Sequence, residues 1–291
     1  MINIYILTYN NYKLLKICVQ SIINRTKFPY NLIIVDNNST DEELLNYFSY
    51  LKNHKNINIH FNKNNLWVLG LNPALKKYQD GKSEYFVVTD ADIVVPTIQN
   101  GRCWLEQLVY EMNINQVIGK LGIGLDLGYI KSRNNFKNTY LREDGYYSNP
   151  QIGQNFIAGV DTTLAIYRHD FFMHKNPRFF PGHGMMNRPY YYTCRTGKNL
   201  NCKHMGWRSY SNPKLQNIKD QKSKVICFTL MGAYLDPAFI GHLPFLLHAF
   251  YVIFRPFSRG VWAINLLIYQ FLWFIKSTPS KLNQIQYQAK K

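Results

Sequence analysis

The sequence predicts an α/β fold with a mainly parallel sheet flanked by helices. Two observations carry that prediction. Through the first hundred residues short β-rich apolar runs alternate with amphipathic helical segments, and each apolar run closes on a polar cluster. A third observation bounds it: apolar residues make up 46% of the 291 and charged residues 18%, a composition that suits a real hydrophobic core rather than a disordered chain.

In chain order, Ile2–Leu7 reads as a strand ending in the polar loop TYNN. Tyr12–Asn24 places Leu14, Leu15, Cys18 and Ile22 on one helical face. The run LIIV, Leu32–Val35, is a second strand ending in DNNSTD, where Ser39 or Thr40 can cap a helix whose first turn holds Asp41, Glu42 and Glu43. Ile57–Phe61 reads as a third strand, and Asn72–Gln79 as a helix with Pro73 in its first turn. Tyr85–Thr89 is a fourth strand and runs into Asp90-Ala91-Asp92. This β-α order implies a parallel sheet, and ligands of such sheets bind beyond the carboxyl ends of the strands, where strand order reverses. Thr8–Asn11, Asp36–Ser39 and Asp90–Asp92 all sit at carboxyl ends, so three distant segments are expected to meet at one rim.

The stretch YFVVTDADIVVP is the most demanding chemically. An unpaired buried carboxylate is costly, so a pair there needs a cation, hydrogen bonds or water. Residues i and i+2 of an extended segment point the same way, which aims Asp90 and Asp92 at one object. That object is either the solvent around a turn or a divalent metal carrying a phosphate.

Trp104–Asn113 reads as a helix, after which residues 115 to about 210 are rich in Gly, Asn, Tyr and Arg, with short strands such as Gly159–Tyr167. This irregular segment suits a substrate-binding half built from loops. Leu243–Phe254 and Val261–Ile275 are aromatic-rich apolar runs split by RPFSRG, and neither reaches the roughly 18–20 residues of a spanning helix. Arg255, Arg259, Lys276, Lys281, Lys290 and Lys291 surround them, while Asp236 is the only acid after residue 235. Such helices resemble interfacial membrane anchors; the alternative is a pair of helices packed on the rest of the chain. The division expected is 1–100, 101–235 and a helical 236–291.

The formal net charge is +17, from 34 Lys and Arg against 17 Asp and Glu, which favours polyanionic partners: nucleic acid, an anionic membrane or phosphorylated substrates. No recognition-helix signature, zinc-finger spacing or repeated basic-aromatic pattern supports nucleic acid. The five cysteines are odd in number and show no pairing pattern, and Met1 runs straight into a strand, so a reducing, cytoplasmic setting is expected. Cys194, Cys202 and His204 have the spacing C-x7-C-x-H without a second CxxC, a poor zinc pattern.

The segments ILTYNNYKLLKICVQSI, LIIVDNNSTD, NKNNLWVLGLNPAL and VVTDADIVVP, in that order, resemble a family 2 glycosyltransferase of the GT-A fold, the bacterial cell-surface polysaccharide type. The resemblance implies a nucleotide-sugar donor, a UDP-sugar, with Mn²⁺ or Mg²⁺ as cofactor. It assigns Asp90 and Asp92 to the metal and the ribose, Asp36 to the nucleobase, and Thr8, Tyr9 and Asn10 to the nucleotide from the end of the first strand. Asn38 and Ala91 join the donor site, as do Asn65 and Asn72, for which turn-forming or capping is an equal alternative. KLGIGLDL, FIAGVDTTLAIYR and KHMGW resemble a bacterial subgroup and imply His204 as a third metal ligand.

Inversion at the sugar carbon needs a base, usually Asp or Glu. The stretch PGHGMMNRPYYYTCR, where many members carry a Glu-Asp pair, contains no acid. Asp161, which opens an apolar strand, is the first candidate and Asp126 in GLDL the second, with Glu143 and Asp144 assigned to a solvated loop. Arg168, Arg178, Arg188 and Arg195 are candidates for phosphate or for solvent. The acceptor expected is a glycan or glycolipid at the cytoplasmic face of an anionic membrane. Two other readings stay open here: a nucleotidyltransferase, which lacks support from any Gly-rich phosphate loop, and a non-catalytic basic membrane-binding protein.

Overall fold

Strand β1 (Ile2–Thr8) leads through helix α1 (Tyr12–Arg25) to β2 (Tyr30–Asp36), then α2 (Glu42–Leu51), β3 (Ile57–Phe61), α3 (Leu71–Tyr78) and β4 (Tyr85–Asp90). These positions come from a computed structural model, which describes all residues except 80–82, 98–100, 161, 170–190, 209–217, 236 and 277–291. β5 (Ile93–Val94), α4 (Trp104–Ile114), β6 (Ile118–Gly122), β7 (Gly124–Leu125), α5 (Gly128–Lys131) and α6 (Lys137–Gly145) follow. Then come β8 (Gln151–Ile152), β9 (Asn155–Ile157), β10 (Leu164–Arg168), β11 (Tyr192–Arg195) and β12 (Asn201–His204), and three helices, α7 (Ile218–Leu230), α8 (Pro237–Gly241) and α9 (Phe245–Lys276).

The described strands form a nine-stranded sheet in the order β3-β2-β1-β4-β10-β6-β11-β9-β8 and a three-stranded one in the order β5-β12-β7. The expected parallel sheet is realised in β3-β2-β1-β4; beyond β4, β10 runs antiparallel to both of its neighbours and the directions mix. Both faces of the parallel half are covered, so its strands read as continuous apolar runs. Successive residues feed opposite sides: Ile4, Ile6, Leu32, Ile34 and Val87 join one core, while Tyr5, Ile33, Val35, Phe86 and Val88 join the other. Registers Thr8↔Asp36 and Leu7↔Asp90 bring the ends of β1, β2 and β4 level, at the point where strand order reverses.

Three expectations about local structure change. The N-cap of α2 is Asp41, whose side chain accepts from Leu44 N–H; Ser39 is occupied elsewhere, as shown below. Glu143 does not lie in a solvated loop: it is buried on α6 and paired with Arg195 at 2.5 Å. The two C-terminal runs are one helix, α9, of 32 residues with Pro256 inside. The arginines that seemed to divide it lie against an exposed ring from the segment before the helix, Arg255 3.9 Å and Arg259 5.4 Å from that of Tyr234. No described helix is long and apolar enough to cross a membrane. α7 packs on α9 through a cluster containing Val225, Leu235 and Tyr251. Gly232 (φ +65°) lets the α7 end approach closely, since a Cβ there would lie 2.7 Å from Arg259 Cα.

Candidate active site

The loops after β1 and β2 are locked together by side chains. Asn10, in the left-handed region at φ 45°, donates its N–H to Ser39 Oγ at 2.8 Å. Its Oδ1 accepts from the N–H groups of Thr40 and Asp41 at 2.7 and 3.1 Å, satisfying donors at the start of α2. Ser39 in turn donates its hydroxyl to Asp36 Oδ1 and its N–H to Asp36 Oδ2, at 2.5 and 3.0 Å. Asp36 is 1% exposed, and burial holds its carboxyl above the ordinary range against the opposing pull of the Ser39 donors. Beside it Thr8 is buried with its Oγ1 making no hydrogen bond, an uncommon state for a buried hydroxyl.

Two residues that sequence reasoning missed support this floor. Asn62 Nδ2 donates to both Asn37 Oδ1 and Gly70 O at 2.9 Å, and Asn37 Nδ2 donates to Trp67 O at 3.0 Å. Gly70 has to be glycine here, because a Cβ would stand 2.1 Å from Asn37 Oδ1. The signal was present in the sequence as paired asparagines and a glycine, but which asparagine faces inward is set by tertiary contacts. Asn38 is exposed at φ 66°. Asn65 caps the turn that begins at Trp67, its Oδ1 accepting from Trp67 N–H at 3.0 Å. Tyr9, at the loop, and Asn72, in the first turn of α3, are half-buried.

At the end of β4, Asp90 Oδ1 accepts from the hydroxyl of Thr162 at 3.0 Å, while Asp90 N–H donates to Thr163 O at 3.2 Å. Ala91 is buried between the two carboxylates. Cys18 of α1 lies beneath, its Sγ donating to Asp90 O at 3.6 Å; burial, reinforced by the charges of Asp92 and Asp90, pushes its thiol far up. Asp92 is joined by a residue 112 positions away. β12 pairs antiparallel with β5, in register His204↔Ile93, and sets His204 Nδ1 3.8 Å from Asp92 Oδ2. Met205 N–H donates to Asp92 O at 2.8 Å, and the His204 ring stacks on Trp207 with centroids 5.0 Å apart. Gly206 leaves the necessary space, because a Cβ there would be 1.9 Å from Asp92 Oδ2.

The donor set of Asp92 and His204, one carboxylate and one imidazole with Gly206 clearing the space beside them, fits a divalent ion that takes its remaining ligands from phosphate and water. Among the described residues no three His, Cys, Asp or Glu side chains form a ligand cluster. Of the two candidate bases, Asp161 lies outside the described residues. Asp126 follows β7; its N–H donates to Cys202 O of β12 and its Oδ1 accepts from Gly128 N–H, both at 2.9 Å. β12 therefore brings Asp126 and His204 to one ribbon. Arg168 and Arg195 are not available to phosphate: Arg168 pairs with Glu84 at 2.9 Å and Arg195 with Glu143. Arg178 and Arg188 lie outside the described residues.

The helix-flanked central sheet is the GT-A fold. The model of glycosyl transferase family 2 matches residues 3–174, more than half of the chain. The chain belongs to that family and is a glycosyltransferase. No curated protein sequence matches it. Among solved structures it is similar to the mannosyltransferase PcManGT from Pyrobaculum calidifontis in complex with GDP-Man and Mn²⁺, at 15% identity and a TM-score of 0.52, covering 99% of this chain and 79% of that one. It is also similar to GalNAc-T7 with UDP, GalNAc and Mn²⁺, at 14% identity and a TM-score of 0.51, covering 78% of this chain and 47% of that one. At such identities the likeness establishes the fold.

Proposed function

We propose that this glycosyltransferase moves a sugar from a UDP-linked donor to a hydroxyl of a glycan or glycolipid held at an anionic membrane surface, with inversion at the sugar carbon. The observation that carries the reading is the meeting of Asp92 and His204 at the same rim as Asp36 and the unbonded hydroxyl of Thr8. Asp36 and Thr8 receive the nucleoside, Asp90 the ribose side, and Asp92 with His204 hold Mn²⁺ or Mg²⁺. When bound, the ion neutralises the charge that grows on the departing diphosphate. The acceptor oxygen bonds the anomeric carbon while that carbon's bond to phosphate oxygen breaks, and the acceptor proton passes to a carboxylate. Asp161 is the first candidate for that base. Asp126 is the second, with one oxygen already holding Gly128 N–H.

The membrane half of the reading is supported by α9. Leu246, Ile253, Phe257, Val261, Ile264, Ile268 and Phe271 are exposed at helical spacing, giving one apolar stripe. From the first to the last it runs roughly 40 Å at 1.5 Å per residue. With a net charge of +17, a lipid surface bearing anionic headgroups is the matching partner, and five free buried cysteines fit its cytoplasmic face.

Release of UDP or GDP from a panel of UDP- and GDP-sugars, with Mn²⁺ and with chelator, tests the donor half. Metal-dependent release is expected, falling about 100-fold or more in Asp92→Asn; release that ignores both metal and mutation overturns it. Co-sedimentation with phosphatidylglycerol vesicles tests the other half. Phe257→Asp with Ile264→Asp is expected to leave the protein in the supernatant, and unchanged pelleting would refute the anchor.

A further inference from the structure

At the β8–β9 end of the sheet, the opposite end of the strand order from β3, lies a cavity of about 620 Å³ between α4, the β8–β9 hairpin and the turn from Thr196 to Leu200. We propose that this cavity is a glycan-binding site that grips the acceptor chain away from the point of transfer, an inference that rests on the acceptor being a glycan. Its volume falls within the roughly 300–1,000 Å³ of small-molecule sites.

The lining matches a saccharide. Gln107, Gln151, Gln154, Asn155 and Asn199 each present a donor and an acceptor together, as sugar hydroxyls do. Phe156 adds an apolar surface, held edge-to-face against Tyr147 at 5.3 Å. The amides are set in place by a buried carboxylate. Glu111, 6% exposed, accepts from Gln107 at 3.0 Å, Asn115 at 3.1 Å and Asn155 at 2.8 Å. A carboxylate only accepts, so it fixes which end of each amide faces it and turns the carbonyl oxygens of Gln107 and Asn155 away. The cations at the rim are already engaged: Lys198 with Asp144 at 2.8 Å, and Arg102 over the ring of Tyr110 at 4.1 Å. An uncharged, hydroxyl-rich ligand fits this balance better than a phosphate.

Position links the cavity to the reaction. Leu200 lines the cavity, and the next four residues are β12, which ends at His204 beside Asp92. Four strand residues span about 13 Å. Cavity and transfer centre are thus the two ends of one short strand, a separation that a glycan of a few sugars can bridge.

Saturation-transfer NMR on the full chain tests this with neutral trisaccharides of glucose, galactose, mannose, N-acetylglucosamine and rhamnose, and with the corresponding monosaccharides. At least one trisaccharide is expected to bind, about tenfold or more tighter than its monosaccharide. Gln154→Ala with Asn199→Ala, both at exposed positions, is expected to weaken it tenfold or more, with UDP binding within twofold of the wild type. Phe156→Ala serves as an independent second variant, checked for an unchanged unfolding midpoint. Failure of every trisaccharide to bind, or equal binding by all variants, overturns the site. UDP release on the same samples separates the two ideas: release without trisaccharide binding sinks the cavity alone, whereas binding without release sinks the proposed transfer.

Discussion

Around the ends of β1, β2 and β4 the buried polar side chains are Thr8, Asp36, Asn37, Ser39, Asn62 and Thr89, a set with one charge; beyond β4 the protein buries Glu111, Lys120, Glu143, Arg168 and Arg195. The first region places polar groups where strands stop, and satisfies all but the Thr8 hydroxyl with groups a few residues away or on a neighbouring strand. The second threads cations through the sheet itself. Lys120 donates to Val160 O and lies 4.8 Å from the Tyr167 ring, and Arg195 joins Glu143 on α6 to Gly159 O. The difference separates polar groups placed by strand endings from charges placed by long-range pairing. The rim gathers mostly uncharged buried groups at strand ends, while the buried charges of the second half hold irregular chain in shape.

The comparison breaks most visibly at the Glu143–Arg195 pair, both partners 7% exposed. Arg195→Met leaves the buried Glu143 carboxylate with only the exposed Arg142, 3.4 Å away, and should cost about 3 kcal/mol in chemical denaturation, with much of the loss recovered in Arg195→Met/Glu143→Leu. A double variant no more stable than the single one would contradict the pairing. On the donor side Asn62→Ala removes two hydrogen bonds without stranding a charge, so about 1–3 kcal/mol is expected. Gly206→Ala probes the rim itself. Its Cβ would displace the Asp92 carboxylate, so transfer should fall about tenfold while stability moves by less than about 1 kcal/mol.

The smallest effect belongs to Asp36→Asn. Because burial raises the folded pKa, the ionised carboxylate carries a stability cost at neutral pH that shrinks as pH falls through that raised value. The variant is relieved of that cost but turns its amide N–H toward one of the two Ser39 donors, so its stability should change by less than about 1 kcal/mol at pH 7 and lose the wild type's dependence on pH. Nucleotide binding runs the other way: wild-type affinity should weaken on acidification before an ordinary Asp would titrate, and the variant should bind weakly at every pH. A titration showing identical acid limbs would reject the role of Asp36.

Much of the donor half was legible in sequence because its chemistry follows strand endings, and period-two apolar runs locate those endings well. β3 keeps the expected bounds, Ile57–Phe61, and the clusters at Thr8, Asp36 and Asp90 do meet. The second half was less legible for a physical reason. Glu143 and Arg195 lie 52 positions apart and neither sits in an apolar pattern, so nothing local says that they are buried together. Pro256 and two arginines looked like a break in α9 because their partner, Tyr234, belongs to another segment.

β12 has only four residues, Asn201–His204, and takes its place by pairing with β5 on one side and β7 on the other. Side chains along it alternate faces, so a slip of a single residue would exchange His204 for Lys203 or Met205 next to Asp92. Selection on this enzyme should therefore weigh length more heavily than identity in the turn from Thr196 to Leu200. Substitutions there are absorbed one at a time, whereas one inserted residue would put the Lys203 ammonium, and one deleted residue the Met205 thioether, where an imidazole belongs.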